Sequence, residues 1–392
     1  MNWDTRSRAA ALTAVLAWVC PVSIVAPPAR AAEQPTTASA PAPLAPDEAR
    51  AIYEIKRRGV KYLISAQEAS GAWAGETGVG ITALCARALA ESPDIGPDHA
   101  AVKRAVEFVI AAQRPDGGIY SAEGLLKNYE TSVAVSMLSR LPGDKHRPAI
   151  DKAVAFLKDG QWDESEDKRP DDPWYGGAGY GRGQRPDMSN VQIMLDALRD
   201  SGLPPSDPAY QKALVFIQRS QMRGESNDQP FARGSVQGGF IYSPANGGES
   251  KAGEVEIEGR RELCCYGSMT YAGLKSMIYA GLNRDDSRVQ AAVGWITRNW
   301  TLDQNPNYPN RSQEGLYYFY MTLARALAAF GDDELTLAKG DKIRWRDELT
   351  VALQKRQEPD GRWVNREDRW MEGRPELTTA YALIALNAAY PK

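Results

Sequence analysis

Six stretches of the chain are poor in charge and apolar on most of their helical circumference. They are Ile81–Leu89, Glu130–Leu138, Asn190–Leu198, Met269–Met277, Phe319–Leu327 and Thr378–Leu386. Their many small residues and near-continuous apolar surface predict helices buried on several faces. Between them run stretches such as Ala100–Ala112 and Arg288–Arg298, whose charges fall on one face only, as an outer layer requires. One buried and one half-exposed helix per unit, repeated about six times, predicts an all-α fold, an α/α toroid or (α/α)6 barrel. An open solenoid would need polar capping repeats at its ends, and the pattern has none.

The units share a joint as well as a helix pair. It reads KYLISAQEASGAW (Lys61–Trp73), FVIAAQRPDGGIY (Phe108–Tyr120), FLKDGQW (Phe156–Trp162), FIQRSQ (Phe216–Gln221) and LQKRQEPDGRW (Leu353–Trp363). In WITRNW (Trp295–Trp300), Trp300 stands where the other joints have glutamine. A glutamine at a helix end can bond orphan carbonyls and tie to the next repeat, and the glycines of the turn supply positive φ. Gln67, Gln113, Gln161, Gln221 and Gln357 are therefore expected to link consecutive units. Thr82, Thr131, Thr270 and Thr379 share one register of the helices that follow.

KYLISAQEASGAW and LQKRQEPDGRW resemble the QW repeats of squalene–hopene and oxidosqualene cyclases, a prenyltransferase/squalene oxidase repeat shared loosely with the β-subunits of protein prenyltransferases. GLYYFYMTLARALAAFG (Gly315–Gly331) is similar to a late inner helix of such a toroid. The resemblance runs from about Ile52 to Pro391 and implies a central cavity opening where the inner helices begin. It does not carry the chemistry of those families with it. The DxDD acid of class II cyclases is absent: Asp171-Asp172, Asp285-Asp286 and Asp332-Asp333 lack the preceding spaced aspartate. The zinc set of the prenyltransferases has no counterpart, since the only histidines are His99 and His146 in the first two repeats. The GCGEQ stretch of thioester toroids is also missing.

Composition adds little to this picture. The 392 residues are 43% hydrophobic with a net charge of −3, which gives no reason to expect nucleic acid or an anionic surface as partner. Arg6 and Arg8, the apolar Ala9–Val25 and the small residues Ala29-Arg30-Ala31 read as a signal peptide over residues 1–31. An uncleaved anchor is the alternative. An Ala-, Pro- and Thr-rich disordered tether is expected over 32–46, the toroid over 47–392, and the location is periplasmic or secreted. No membrane helix is expected once the signal is removed. Cys85, Cys264 and Cys265 make no disulfide framework and read as core packing. No metal or cofactor is expected, and the oligomeric state stays open.

Chemistry is expected at the starts of the inner helices. Candidate acids are Glu130, Asp187, Glu376 and Asp172, although acidic groups there also serve as helix caps. Candidate ligand contacts are Tyr129, Asn190, Tyr266, Ser268, Tyr271, Tyr317, Tyr320 and Trp370. Aromatic faces can line a pocket for an isoprenoid chain or a sugar ring. The run Tyr317–Tyr320 cannot all face one way, so part of it is core. Arg182 and Arg185 in the Gly-rich loop Asp171–Asn190 are candidates for an anion. Three readings stay open: a hydrophobic small molecule of isoprenoid type, a carbohydrate-active enzyme, and a non-catalytic protein-binding scaffold.

Overall fold

The alternation of burial along the chain becomes an alternation of layers. In the computed structural model, which describes residues 44–309 and 313–391, the first three helix pairs are α1 (Pro46–Ala66) with α2 (Gly80–Ala90), α3 (Ala100–Ala111) with α4 (Lys127–Leu138), and α5 (Arg147–Asp159) with α6 (Met188–Asp200). The next three are α7 (Pro208–Ser220) with α8 (Gly267–Tyr279), α9 (Ser287–Arg298) with α10 (Leu316–Phe330), and α11 (Trp345–Arg356) with α12 (Pro375–Ala389). The even-numbered helices pack side by side in the order α2, α4, α6, α8, α10, α12, and α12 returns to α2, so the inner ring is closed. All eleven residues of α2 are buried, against three of thirteen in α5, which separates inner from outer helix.

Each joint is held the same way. The side-chain N–H groups of Gln67 donate to Gly71 O and Ala101 O, both at 2.8 Å: one bond closes its own turn, the other reaches the next outer helix. Gln113, Gln161 and Gln221 repeat this pair of bonds onto α5, α7 and α9. Gln357 donates to Gly361 O and to Ile55 O of α1, which closes the ring. At the remaining joint the indole N–H of Trp300 donates to Glu348 of α11 at 2.7 Å, so another donor ties the same two outer helices. The threonines complete the joint: Thr82, Thr131, Thr270 and Thr379 accept from the backbone N–H of Trp73, Ile119, Phe240 and Trp363.

Among the described residues, two small antiparallel hairpins decorate the helices. Strands β1 (Glu254–Ile257) and β2 (Arg260–Leu263) lie in the long insertion before α8; β3 (Glu334–Thr336) and β4 (Lys342–Arg344) precede α11. The export-signal reading and the tether over residues 32–43 fall outside the described residues; the tether's last residues lead into α1 at Pro46. Among the described residues no helix is long and apolar enough to cross a membrane.

Candidate functional site

The first turns of all six inner helices meet at one end of the ring around a cavity of about 250 Å³. Tyr129 in the first turn of α4, Tyr318 in that of α10 and Tyr381 in α12 line it, with Tyr266 at the N-cap of α8. Loops supply Tyr180, Tyr242 and Trp370, for seven aromatic rings among the described residues. Ile81, Leu126, Met269, Met371 and Leu377 add apolar wall. Gly80 lets the Tyr129 ring lie close, since a Cβ there would come within 3.0 Å of it.

Two hydroxyl pairs, one joining α4 to α12 and one joining α6 to α10, form a floor. Tyr129 and Tyr381 are 3.1 Å apart through their hydroxyls, and the Tyr318 hydroxyl sits 3.2 Å from Ser189 Oγ. Beneath the floor lies a buried ionic plug. Lys275, whose side chain is fully buried, donates to Gln192 Oε1 and to Asp196 at 2.8 Å. Arg325 also pairs with Asp196; Arg87 and Arg140 hold Asp200 and Glu91. Burial lowers the Lys275 pKa from 10.5 to about 8 against the opposing pull of Asp196.

The carboxylates at the cavity are committed to backbone. Glu130 lines it and accepts from Val79 N, Ser121 N and Ser121 Oγ, each at 2.9 Å, so it fastens the start of α2 to the neighbouring repeat. Glu372 caps α10 by accepting from Tyr318 N at 2.8 Å and Tyr317 N at 3.3 Å, with Asn365 Nδ2 at 2.7 Å. Asp187 is the N-cap of α6 and is 2% exposed, behind the wall. Its partner Asn190 donates to it through both side-chain and backbone N–H.

The remaining sequence candidates are placed away from the cavity lining. Asn190 is turned to Asp187 and Asn128. Tyr271 packs on Phe319 in the core, because α8 turns that face towards α10. Tyr317 and Tyr320 stack edge to face with each other on the far side of α10, and the Tyr320 hydroxyl donates to Leu302 O at 2.5 Å. Glu376 accepts from Tyr62 of α1, and Asp172 pairs with Lys168 in the loop before α6. Arg182 and Arg185 are both paired with carboxylates, so neither is a free anion ligand. Tyr129, Glu130, Tyr266, Ser268 and Trp370 are brought together around the cavity. Sequence reasoning did not single out Glu372, Tyr242, Lys251 and Asn305, which lie in loops with no repeat signal.

Trp370 closes one side of the mouth at 46% exposure, and it and Met371 both have left-handed backbone, φ 56° and 66°. Such residues cost about 1–3 kcal/mol each and persist where the surroundings over-determine them. Here Gly315 supplies the space: a Cβ on it would meet the Trp370 ring at 3.1 Å.

Two of these carboxyls dictate a pH profile. Burial raises Asp187 from 3.8 to about 6 and Glu372 from 4.5 to about 7, overcoming the hydrogen bonds that favour their ionised forms. The native state therefore holds protons that the unfolded chain has already lost, and stability falls as pH rises through this window. The urea midpoint is expected to be lower at pH 7.5 than at about pH 5, and Asp187→Asn and Glu372→Gln should each flatten the profile. His146, lowered by burial, acts in the opposite direction, so the difference between wild type and variants is the quantity to read. A profile unchanged by both substitutions would remove these carboxyls as its cause.

The closed double ring with a cavity at the inner-helix N-termini is a terpenoid-cyclase-like α/α toroid. A family model, the squalene–hopene cyclase C-terminal domain, matches residues 76–185. Among solved structures, a variant of the type II terpene cyclase MstE from Scytonema in complex with geranylgeranyl dihydroxybenzoate (substrate) superposes with a TM-score of 0.54 at 13% identity, covering 88% of this chain and 99% of that one. A second variant of that cyclase, in complex with merosterolic acid A (product), gives 0.51 at 14% identity, with 88% and 99% covered. A glycosidase variant in complex with glucose gives 0.50 at 13% identity, with 89% and 99% covered. At these identities the fold is what is shared. A search of curated proteins by sequence finds no match.

Proposed function

We propose that this chain binds a hydrophobic ligand of isoprenoid type in the central cavity, and that it does so outside the cytoplasm. The observation that carries the reading is the wall itself: seven aromatic rings and five aliphatic or thioether side chains enclose the space, while its carboxylates are occupied by backbone. Aromatic faces suit alkenes and any cationic character that develops along them. The likeness to a cyclase holding geranylgeranyl dihydroxybenzoate supports the same ligand class. The signal-like residues 1–31 support export.

Native mass spectrometry of protein from its own host envelope, followed by lipid extraction, tests both parts. A polyprenyl or triterpenoid species is expected to co-purify, and the protein mass locates the mature N-terminus. Ser268, 4% exposed at the cavity, is the place to fill it. Ser268→Trp is expected to weaken retention of added squalene or geranylgeraniol by about a hundredfold, the effect of removing most of a buried apolar contact surface. A clean apo mass with no retention of either lipid would sink the reading.

A carbohydrate reading has one specific support, the half-exposed Trp370 at the mouth beside Glu372, whose raised pKa is a property of glycosidic acids. Binding of an oligosaccharide that is lost in Trp370→Ala would favour it over the isoprenoid reading.

A further inference from the structure

The cavity floor carries more hydroxyl hydrogens than the described residues accept, and we infer that it binds a neutral oxygen acceptor of the ligand, of the ketone, ester or ether class. This rests on the cavity's holding a ligand and is independent of whether that ligand is an isoprenoid.

Lys275 begins the count. A protonated Lys275 carries only donors, so the Gln192 side-chain atom 2.5 Å from its Nζ is the amide oxygen. That settles the orientation of an amide otherwise ambiguous between O and N. The other end of the amide, Nε2, then faces the Tyr318 hydroxyl at 2.9 Å and donates to it. Tyr318 accepts there, and its own hydrogen must go elsewhere. Its remaining neighbour is Ser189 Oγ. Whichever hydroxyl of that pair donates to the other, one hydrogen is left over.

The same arithmetic holds at the second pair, Tyr129 with Tyr381, where two hydroxyls share one bond and one hydrogen is left. Ser268 Oγ accepts from Asn305 Nδ2 at 3.1 Å, and Asn305 Oδ1 is taken by Ser268 N, so the Ser268 hydroxyl hydrogen has no partner among the described residues. Among the same residues nothing bonds the hydroxyl of Tyr266, which is 3% exposed and lines the cavity. All six of these side chains line one cavity. The carboxylates that would accept from them are already engaged by Val79, Ser121, Tyr317, Tyr318 and Asn365. Buried donors left unsatisfied cost about 1–3 kcal/mol each, so a complementary ligand brings acceptors.

Charge narrows the class. Glu130 in the wall opposes an anionic head, and Lys251 is already paired with Glu249. A cationic or purely donating group would meet donors. A neutral carbonyl or ether oxygen fits both conditions. Gln192 and Lys275 act here as positioning residues: they lie below the floor and make Tyr318 accept from Gln192, so its own hydrogen points away from the plug.

The test uses two matched pairs of probes: carbonyl-¹³C farnesylacetone and cyclohexanone, each against the hydrocarbon with a methylene group in place of the carbonyl. With wild type, each ketone is expected to bind about tenfold tighter than its hydrocarbon partner, the weight of one buried hydrogen bond. The infrared carbonyl band should move to lower wavenumber than in hexane. Tyr318→Phe combined with Ser189→Ala, which removes both hydroxyls of one pair so that neither frees the other's hydrogen, should reduce the preference and the band shift, with ketone affinity falling more than hydrocarbon affinity. Lys275→Met should weaken the band shift without altering the cavity wall, which a purely structural role would not do. If that double variant does not fold, Tyr266→Phe, which removes a hydroxyl with no partner among the described residues, carries the same expectation. Equal binding of ketone and hydrocarbon in wild type, or no binding of either pair, overturns the inference. Failure of the farnesyl pair alone, with cyclohexanone behaving as expected, overturns the isoprenoid reading and leaves this one standing.

Discussion

Asp196→Asn is expected to destabilise the protein by about 3–5 kcal/mol at neutral pH, although it changes neither volume nor shape. Asp196 is the shared counter-ion of Lys275 and Arg325, with side-chain exposures of 4%, 0% and 8%. Removing its charge leaves two buried cations facing each other beside Arg87, and the low-dielectric interior offers no water to replace the carboxylate. Arg325 cannot lose its proton, so the relief must come from Lys275. Its native pKa, already lowered to about 8, should fall further in the variant. A lysine with a depressed native pKa binds fewer protons folded than unfolded, so its contribution rises with pH up to the unfolded value. The variant enters that regime at lower pH than wild type, and the stability gap should narrow between about pH 6 and 8.5. Urea denaturation across that range reads both effects. A loss below about 1 kcal/mol at pH 7 would mean that Lys275 is already neutral in the native plug. Because Lys275 also sets Gln192, and Gln192 sets Tyr318, the plug and the cavity floor are one hydrogen-bonded assembly.

The second large effect is at a joint. Gly176→Ala is expected to cost about 3 kcal/mol or more, since the residue has φ +77° and an added Cβ would stand 1.8 Å from Lys212 O and 2.3 Å from its carbonyl carbon. Both partners are backbone, so the turn must lift off α7. Lifting it breaks the bridge that Gln161 makes between Gly176 O and Ala209 O. Gly183, seven residues on, has φ +79° and nothing within 4 Å of an added Cβ. Gly183→Ala should lose only the left-handed penalty of about 1 kcal/mol. Thermal unfolding of the two variants side by side separates close packing from backbone preference; equal losses would show that the contact with α7 contributes nothing.

Much of the joint is written in local spacing. Gln67, Gln113 and Gln357 each bond the carbonyl of a glycine four residues on, a distance that a single turn sets without help from the rest of the fold. Gln161 and Gln221 make the same bond to Gly176 and Gly238, fifteen and seventeen residues away. There the insertion hides the motif, and only the folded loop restores it. The plug left a trace that is plain in retrospect. Arg87, Lys275 and Arg325 are each the single charge of an otherwise apolar inner helix, and Asp196 is a buried charge in a fourth. Nothing in the spacing says that they meet, because they sit on four different helices.

The sequence by itself determined that this protein is a closed stack of helix pairs and which helix of each pair lies inside. The reason is that burial follows a 3.6-residue period and the joints recur, both properties of neighbours along the chain. Only the tertiary structure decided what the cavity is. Of the four aromatics Tyr317–Tyr320, only Tyr318 lines it, and that follows from how α10 is rotated against α8 and α12. Glu130 and Glu372 became ties because folding brings beside them the backbone N–H groups of Val79, Ser121 and the first turn of α10, whereas Asp187 caps its own helix through the local bond from Asn190 N. The direction of the Tyr318 hydroxyl depends on a lysine 43 residues away in sequence and on a glutamine 126 away. Hydrogen bonds of that kind join atoms by where they lie in space, and a period or a motif carries no record of them.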